Sequence, residues 1–182
     1  MAGYAGSGKD TAATALIADG YQRMAFADGV RELALAVDPW ILPGVRLSAI
    51  VAQRGWDGAK ALADVRTLLQ NVGKGVRDIV GPDAWVEVME RVWFVALDRP
   101  DAVITDVRYP NEAAWIRRWG GMVIRIDRPG VGPVNGHESE TLVDAIEEDA
   151  SVVNDGTPEE LQAKVTRIVA DYWATPITGL PF

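Results

Sequence analysis

The chain has 182 residues, of which 48% are hydrophobic and 24% charged, a balance that suits one globular domain with a sizeable core. Its net charge of −8 argues against a nucleic-acid polymer as partner, and its lack of cysteine excludes disulfides and thiolate metal sites. No apolar run is long enough to span a bilayer and no signal peptide is recognisable, so we expect a cytoplasmic protein that binds no membrane.

The first dozen residues read as a phosphate-binding loop that opens a helix over residues 11–18. The spacing G-x-x-x-x-G-K is the Walker A pattern, although Asp10 replaces the usual Ser or Thr. Glycines let main-chain N–H groups approach an anion, and the helix N-terminus and the lysine add positive charge. The alternative is a plain surface turn. We expect a nucleotide-phosphate site formed by Ala5, Gly6, Ser7, Gly8, Lys9, Asp10 and Thr11.

Two features of this loop depart from the usual pattern. The carboxylate of Asp10 can ligate a hard cation, but it repels phosphate unless the metal is present. Only Met1 and Ala2 precede the loop, where a buried apolar strand is usual. We therefore expect that the true start lies upstream of Met1. The alternative is that the sheet lacks most of its central strand.

Further along the chain, predicted strands alternate with predicted helices. Strands are expected at residues 21–26, 102–105, 122–126 and 150–153. One helix is expected to start at Asp28 as its cap, one at Asp64 and one at Pro82. Residues 44–63 are expected to form helical pieces that are separated at Gly55 and Gly58. Further helices are expected over 110–119, 138–148 and 158–173. This alternation predicts an α/β fold of three layers, with a mostly parallel sheet flanked by helices and an apparently truncated first strand.

Ligands of such folds bind at the carboxyl ends of the strands. Those ends carry polar residues to the side of the Lys9 loop: Phe26–Asp28, Asp106–Arg108, Asp127–Arg128 and Asn154–Asp155. An acidic residue that ends an apolar strand is where these folds place a carboxylate that organises Mg²⁺, which favours Asp106. Arg108 lies where it can fork onto a phosphate. An equally good alternative has Asp106 capping the next helix and Arg108 pairing with Glu112 on its surface.

Taken together, these motifs resemble those of the phage deoxynucleoside monophosphate kinases, a branch of the P-loop nucleoside monophosphate kinases. The Asp-Val-Arg-Tyr-Pro-Asn-Glu run and the Asp after the loop lysine are the most specific. The short first strand departs from the family, as does Lys74 after Gly73, where Thr is more usual. The matching stretches span nearly the whole chain: Gly8–Thr11, Phe26–Asp28 with Arg31, Arg66–Gln70 with Gly73 and Arg77, Asp83–Val86, Asp106–Glu112, His137–Glu140 and Asn154–Thr157.

The resemblance implies a single P-loop kinase domain over residues 1–182, with an acceptor-binding helical region at about 28–97 and a lid-like loop at about 128–140. It implies transfer of a phosphoryl group from ATP, with Mg²⁺, to a deoxynucleoside 5′-monophosphate. The products are ADP and the diphosphate. The partners are therefore small-molecule nucleotides, and a homodimer is compatible because related enzymes include dimers.

The resemblance also implies roles at the reaction centre. Lys9 and the loop amides hold the β- and γ-phosphates of ATP. Asp10 and Asp106 organise Mg²⁺ with water between. Arg108 and Arg77 are the candidates for binding the acceptor's phosphate, and Arg128 closes over the transferring group.

Further residues are assigned to the substrates on the same basis. Gln70 is expected to hydrogen-bond the acceptor base, or else to be an exposed helix position. Trp85 either stacks on that base or belongs to the core. Asn154 resembles part of the loop that holds the adenine of ATP, although by chemistry alone it is an ordinary turn residue. The substrate-binding set is Asp28, Arg31, Arg66, Gln70, Arg77, Trp85, Arg108, His137 and Glu140.

Two other functions stay open from the sequence. The first is another small-molecule kinase with this loop, such as a dephospho-coenzyme A or phosphomevalonate kinase, which differs only in its acceptor pocket. The second is a nucleotide-binding protein without transfer activity, which the short first strand favours.

Overall fold

The structure, a computed structural model, describes residues 1–96, 100–133 and 142–174. The chain divides into two compact units, one of Met1–Ala25 with Trp93–Phe182 and one of Phe26–Val92. The second unit has bounds close to the helical region expected at 28–97, and its part in binding an acceptor stays a prediction. No helix of the described ranges is both long enough and apolar enough to cross a membrane.

Strands and helices alternate along the chain as expected. The strands are β1 (Gln22–Met24), β2 (Trp40–Leu42), β3 (Val45–Arg46), β4 (Ala102–Ile104), β5 (Ile124–Asp127) and β6 (Ala150–Val153). The helices are α1 (Lys9–Ala18), α2 (Phe26–Val37), α3 (Leu47–Lys60), α4 (Ala63–Ile79), α5 (Ala84–Val95), α6 (Pro110–Arg118) and α7 (Pro158–Ala174), with a 3₁₀ turn at Leu142–Ala145.

The first unit contains the parallel strand pairs. β1 pairs with β4, and β5 pairs with β6, both in parallel. Ala2 forms isolated parallel bridges to Val107, beyond β4, and to Arg125 on β5. Its N–H donates to Ile124 O and its carbonyl accepts from the Ile126 N–H, each at 2.9 Å. Ala2 therefore occupies the position between β4 and β5, and the expected α/β fold with parallel strands flanked by helices is confirmed.

Helices α1 and α7 pack on the sheet of the first unit. α1 turns Ala12 and Ala13 inward, and these small side chains let Leu161 and Val165 of α7 approach closely. A capping box starts α7: the Thr157 hydroxyl accepts from the Glu160 N–H at 3.3 Å, and the Glu160 carboxylate accepts from the Thr157 N–H at 2.9 Å. The shared core is Met1, Ala12, Ala13, Leu16, Val103, Ile124, Ile126, Val152, Leu161 and Val165.

The second unit has its own core, of Ala34, Leu47, Ile50, Ala59 and Val65. The expected interruption at Gly55 is present, because its φ of 64° and ψ of 174° kink α3. Gly58 lies within the helix and is no break. β3, which forms an antiparallel hairpin with β2, lies where the sequence predicted helical pieces from residue 44.

Two predicted helix bounds are wrong. α2 begins at Phe26, two residues before Asp28, so Asp28 lies inside the helix, where its carboxylate accepts from Arg31 at 2.6 Å. The helix expected over 138–148 is only a 3₁₀ turn at Leu142–Ala145 in its described part, which starts at residue 142. The Val143 carbonyl accepts from Arg125 at 3.3 Å, so this side chain takes an acceptor that a longer helix would use.

Candidate active site

The loop before α1 depends on glycines for its path. Gly3, Gly6 and Gly8 have φ values of 136°, 80° and 103°, a region that L side chains rarely adopt. A Cβ on Gly3 would collide with the Ile126 carbonyl of β5, so the loop approaches the sheet closely only because this residue lacks a side chain. The sequence-predicted loop therefore has the strained, close-packed form of an anion-binding turn.

Lys9 lies at the first position of α1 and is only 8% exposed. Its ammonium group donates to the carbonyls of Gly3 at 2.8 Å and Tyr4 at 2.7 Å. Ser7 is 1% exposed, and its hydroxyl has no hydrogen-bond partner within the described residues. The loop therefore holds a cation and a buried hydroxyl beside the N-terminus of α1, where negative charge is favoured.

Two strand-end residues contact this loop, as expected for the carboxyl edge of a parallel sheet. Asn154, just after β6, donates from its side-chain amide to the Ser7 carbonyl at 2.8 Å. Arg128, just after β5, places Nη1 3.5 Å from the Gly6 carbonyl. Both side chains thus reach the loop from neighbouring strands.

Asp106 follows β4 and is half-buried. The amine of Met1 nearby has its pKa lowered to about 5, chiefly by burial, with Asp106 raising it and Lys9 lowering it.

The run after β4 is held by a buried carboxylate. Glu112 is 1% exposed, and its Oε2 accepts from the N–H groups of Arg108 at 2.8 Å and Tyr109 at 3.2 Å. α6 has Tyr109 as its N-cap, so Asp106 does not occupy the cap position, and Glu112 is buried and not on the helix surface. The capping part of the alternative is therefore wrong. The signal for Glu112 was present in the sequence, as Glu two residues after Pro110 at the third helical position.

The sequence predicted two carboxylates, those of Asp10 and Asp106, as ligands of a cation. The side chain of Asp10 is 80% exposed. Across residues 1–96, 100–133 and 142–174 no group of three or more acidic or histidine ligands converges. Mg²⁺ keeps several waters and takes one or two carboxylates plus substrate phosphates, so this sparse set fits it. Arg23 of β1, which the sequence analysis missed, lies 3.7 Å from Asp10.

In the second unit, helix α4 carries three of the predicted substrate residues on one face. Arg66, Gln70 and Arg77 are spaced four and seven residues apart, which is one, then two turns of helix. Gln70 and Arg77 are half-buried, while Arg66 is exposed and donates to the Lys60 carbonyl at 3.2 Å. The structure therefore aligns these side chains.

The remaining predicted residues of the second unit make internal contacts. Arg31 pairs with Asp28 at 2.6 Å and lies 5.9 Å from the centre of the Trp56 ring. Trp85 is 4% exposed and donates from its indole to the Gly73 carbonyl at 2.9 Å, which favours the core interpretation. His137 and Glu140 lie outside the described residues.

Comparison with known proteins gives consistent matches. The family model described as "Deoxynucleotide monophosphate kinase" matches residues 50–165. A protein of Acanthamoeba polyphaga mimivirus, provisionally named a deoxynucleotide monophosphate kinase, is 33% identical over 93% of this chain and 94% of its own length. The deoxynucleotide monophosphate kinase of Escherichia phage RB69 is 30% identical over 50% of this chain and 41% of its own.

Proposed function

Because this chain belongs to the deoxynucleotide monophosphate kinase family, we propose that it transfers the γ-phosphoryl group of ATP to deoxynucleoside 5′-monophosphates. The products are ADP and the deoxynucleoside diphosphate, and the reaction needs Mg²⁺. The observation that carries the proposal is the contact of Asn154 and Arg128, from two strand ends, with the loop that begins at Gly3. Both relatives are viral, and we propose the cytoplasm of an infected host as its setting.

Phosphoryl transfer spreads negative charge over the oxygens of the moving group, so catalysis is mainly positioning and cationic stabilisation. The ammonium group of Lys9, oriented by the carbonyls of Gly3 and Tyr4, binds oxygens of the β- and γ-phosphates. The loop N–H groups bind the same phosphates, because the glycines let the main chain approach an anion closely. Arg128 covers the transferring group from the side of Gly6. These cations offset the charge that develops as the bond to the leaving oxygen breaks.

When bound, Mg²⁺ would supply positive charge that offsets the negative charge of the phosphates. Asp10 and Asp106 would hold it through water. The Glu112 carboxylate fixes the backbone of Arg108 by accepting from its N–H group. The guanidinium group of Arg108 binds the phosphate of the acceptor as a bidentate donor. The α4 face with Arg66, Gln70 and Arg77 is our candidate for recognition of the acceptor nucleotide.

The test is ADP release from ATP with each of the four common deoxynucleoside monophosphates, with and without Mg²⁺. Dephospho-coenzyme A and phosphomevalonate serve as control acceptors. We expect ADP only with deoxynucleotides and Mg²⁺. Turnover with a control acceptor alone would assign the chain to another small-molecule kinase. ATP binding without ADP release for any acceptor would make it a nucleotide-binding protein that lacks transfer activity.

A further inference from the structure

We infer that Tyr4, Asp144 and Arg125 form a bracket that positions the phosphate loop, and with it Lys9, for binding ATP. Here "bracket" means these three side chains and their mutual contacts. The inference rests on the proposed function, since it takes ATP to be the ligand of the loop. It adds three positioning residues that lie outside the expected site residues.

The first contact of the bracket joins the loop to the 3₁₀ turn. The Tyr4 hydroxyl donates to Asp144 Oδ2 at 2.5 Å, across 140 residues of sequence. Tyr4 is the first variable residue of the G-x-x-x-x-G-K spacing, and its side chain leaves the loop towards residues 142–145. A charge-assisted hydrogen bond of this length is among the stronger side-chain contacts.

The second part of the bracket is Arg125 on β5, whose side chain is largely buried. It donates from Nη2 to Asp144 Oδ1 at 2.7 Å and from Nε to Asp127 Oδ1 at 2.9 Å. Its guanidinium carbon lies 5.8 Å from the centre of the Tyr4 ring. Asp144 is thus bound on both oxygens, one by the loop and one by the sheet.

The bracket reaches Lys9 through the main chain of Tyr4. The Tyr4 carbonyl accepts from the Lys9 ammonium at 2.7 Å and from the Ser7 N–H at 3.2 Å. Gly3 and Gly6 on either side of it adopt positive φ values, which gives this stretch many alternative paths. Fixing the Tyr4 side chain therefore selects one direction for a carbonyl that organises both the lysine and the turn.

The protonation states of the bracket support the same role near neutral pH. The hydrogen bond to Asp144 raises the pKa of the Tyr4 hydroxyl. The hydrogen bond from Tyr4, and then that from Arg125, lower the pKa of the Asp144 carboxyl. The phenol thus stays protonated and the carboxylate ionised, which is the pair of states that the contact requires.

The test compares Tyr4→Phe, Asp144→Ala and the double variant with wild type. Tyr172→Phe is the matched control, because its hydroxyl donates to the Gly120 carbonyl at 3.1 Å. ATP affinity is measured by calorimetry with Mg²⁺, and KM is measured for ATP and for the deoxynucleotide. We expect about fivefold weaker ATP binding in each single variant, an unchanged acceptor KM, and no further loss in the double variant.

Each result decides the inference. Losses that multiply in the double variant, unchanged ATP affinity in Tyr4→Phe, or equal rises in both KM values would overturn it. A Tyr172→Phe variant that weakens ATP binding as much would also count against it, because the effect would then be general. If wild type binds ATP but releases no ADP, the proposed function fails while the affinity comparison still decides the bracket. If wild type binds no ATP, both fail.

Discussion

The side-chain amide of Asn154 donates a hydrogen bond of 2.8 Å to the main-chain carbonyl of Ser7. The same amide nitrogen would lie 2.5 Å from a Cβ built on Gly8. The loop and the end of β6 therefore share a space in which only a glycine fits. Packing as well as backbone conformation fixes the residue before Lys9.

The first prediction concerns this space. Gly8→Ala is expected to weaken ATP binding at least tenfold, because the new methyl group pushes Asn154 off the Ser7 carbonyl. Gly20→Ala is the matched control: its φ is 99°, but nothing lies within 4 Å of its Cβ position. The control should lose about 1 kcal/mol of unfolding free energy and keep its ATP affinity. Equal affinities in the two variants, by calorimetry, would contradict the role of the contact.

The second prediction concerns the cation of the loop. Lys9→Met keeps the aliphatic stem and removes the ammonium group, so ADP release should fall by about 100-fold or more. The fold should remain, with a loss of about 1–2 kcal/mol for the two hydrogen bonds to loop carbonyls. Activity and urea unfolding measure the two effects. Turnover close to that of wild type would disprove the assignment of the loop.

The third prediction separates the two substrates. Arg108→Ala should lower kcat/KM for the deoxynucleotide by about 100-fold and change ATP affinity less than twofold. Arg108→Lys should recover only part of this loss, because a single ammonium group cannot form the bidentate contact. Arg118→Ala, an exposed position on α6, serves as control. If ATP binding falls as far as acceptor turnover, Arg108 serves the other substrate.

The fourth prediction is about stability. Glu112→Ala leaves two N–H groups of residues 108–109 without their acceptor, so the unfolding free energy should fall by about 2–3 kcal/mol. Glu112→Gln, which keeps a carbonyl oxygen, should lose less. Glu87→Ala, an exposed position on α5, should change stability by less than about 0.5 kcal/mol. Similar denaturation midpoints for Glu112→Ala and Glu87→Ala would show that the Glu112 carboxylate does not stabilise the fold.

The fifth prediction is the pH dependence of the bracket. The lowered pKa of Asp144 gives stability that is present above its ordinary value of 3.8 and is lost as pH falls through the folded-state pKa. The raised pKa of Tyr4 gives stability that is present below 10.0 and is lost as pH rises through the folded-state pKa. The stability difference between wild type and Tyr4→Phe should thus be level from about pH 5 to 9 and shrink outside it. A slope near pH 7, in urea unfolding across pH, would refute this.

The sequence predicted those parts of the molecule that local chemistry determines. Pro110 and Pro158 lie at first helical positions, and both helices begin there. The Ala150–Val153 strand has the predicted bounds, because an apolar run between turn residues leaves little choice.

What the sequence did not predict depends on distant contacts or on very short elements. Strands β2 and β3 have three and two residues, too few for an alternating pattern to stand out. Tyr4 and Asp144 are 140 residues apart, so nothing local links them. Asp28 is a residue type typical of a cap, but α2 begins two residues earlier, and Asp28 pairs with Arg31 within the helix.

The regular spacing of Arg66, Gln70 and Arg77 along α4 has a consequence for sequence change. Each residue of an α-helix rotates the next by about 100°, so a single inserted or deleted residue between positions 66 and 77 would turn part of this row away from the rest. Length variation there is tolerable only in steps of three or four residues, close to whole turns. Natural relatives that differ in α4 length should therefore show gaps of that size. An engineered one-residue deletion should abolish binding of the ligand of this row, for which we propose the acceptor nucleotide, while leaving the helix folded.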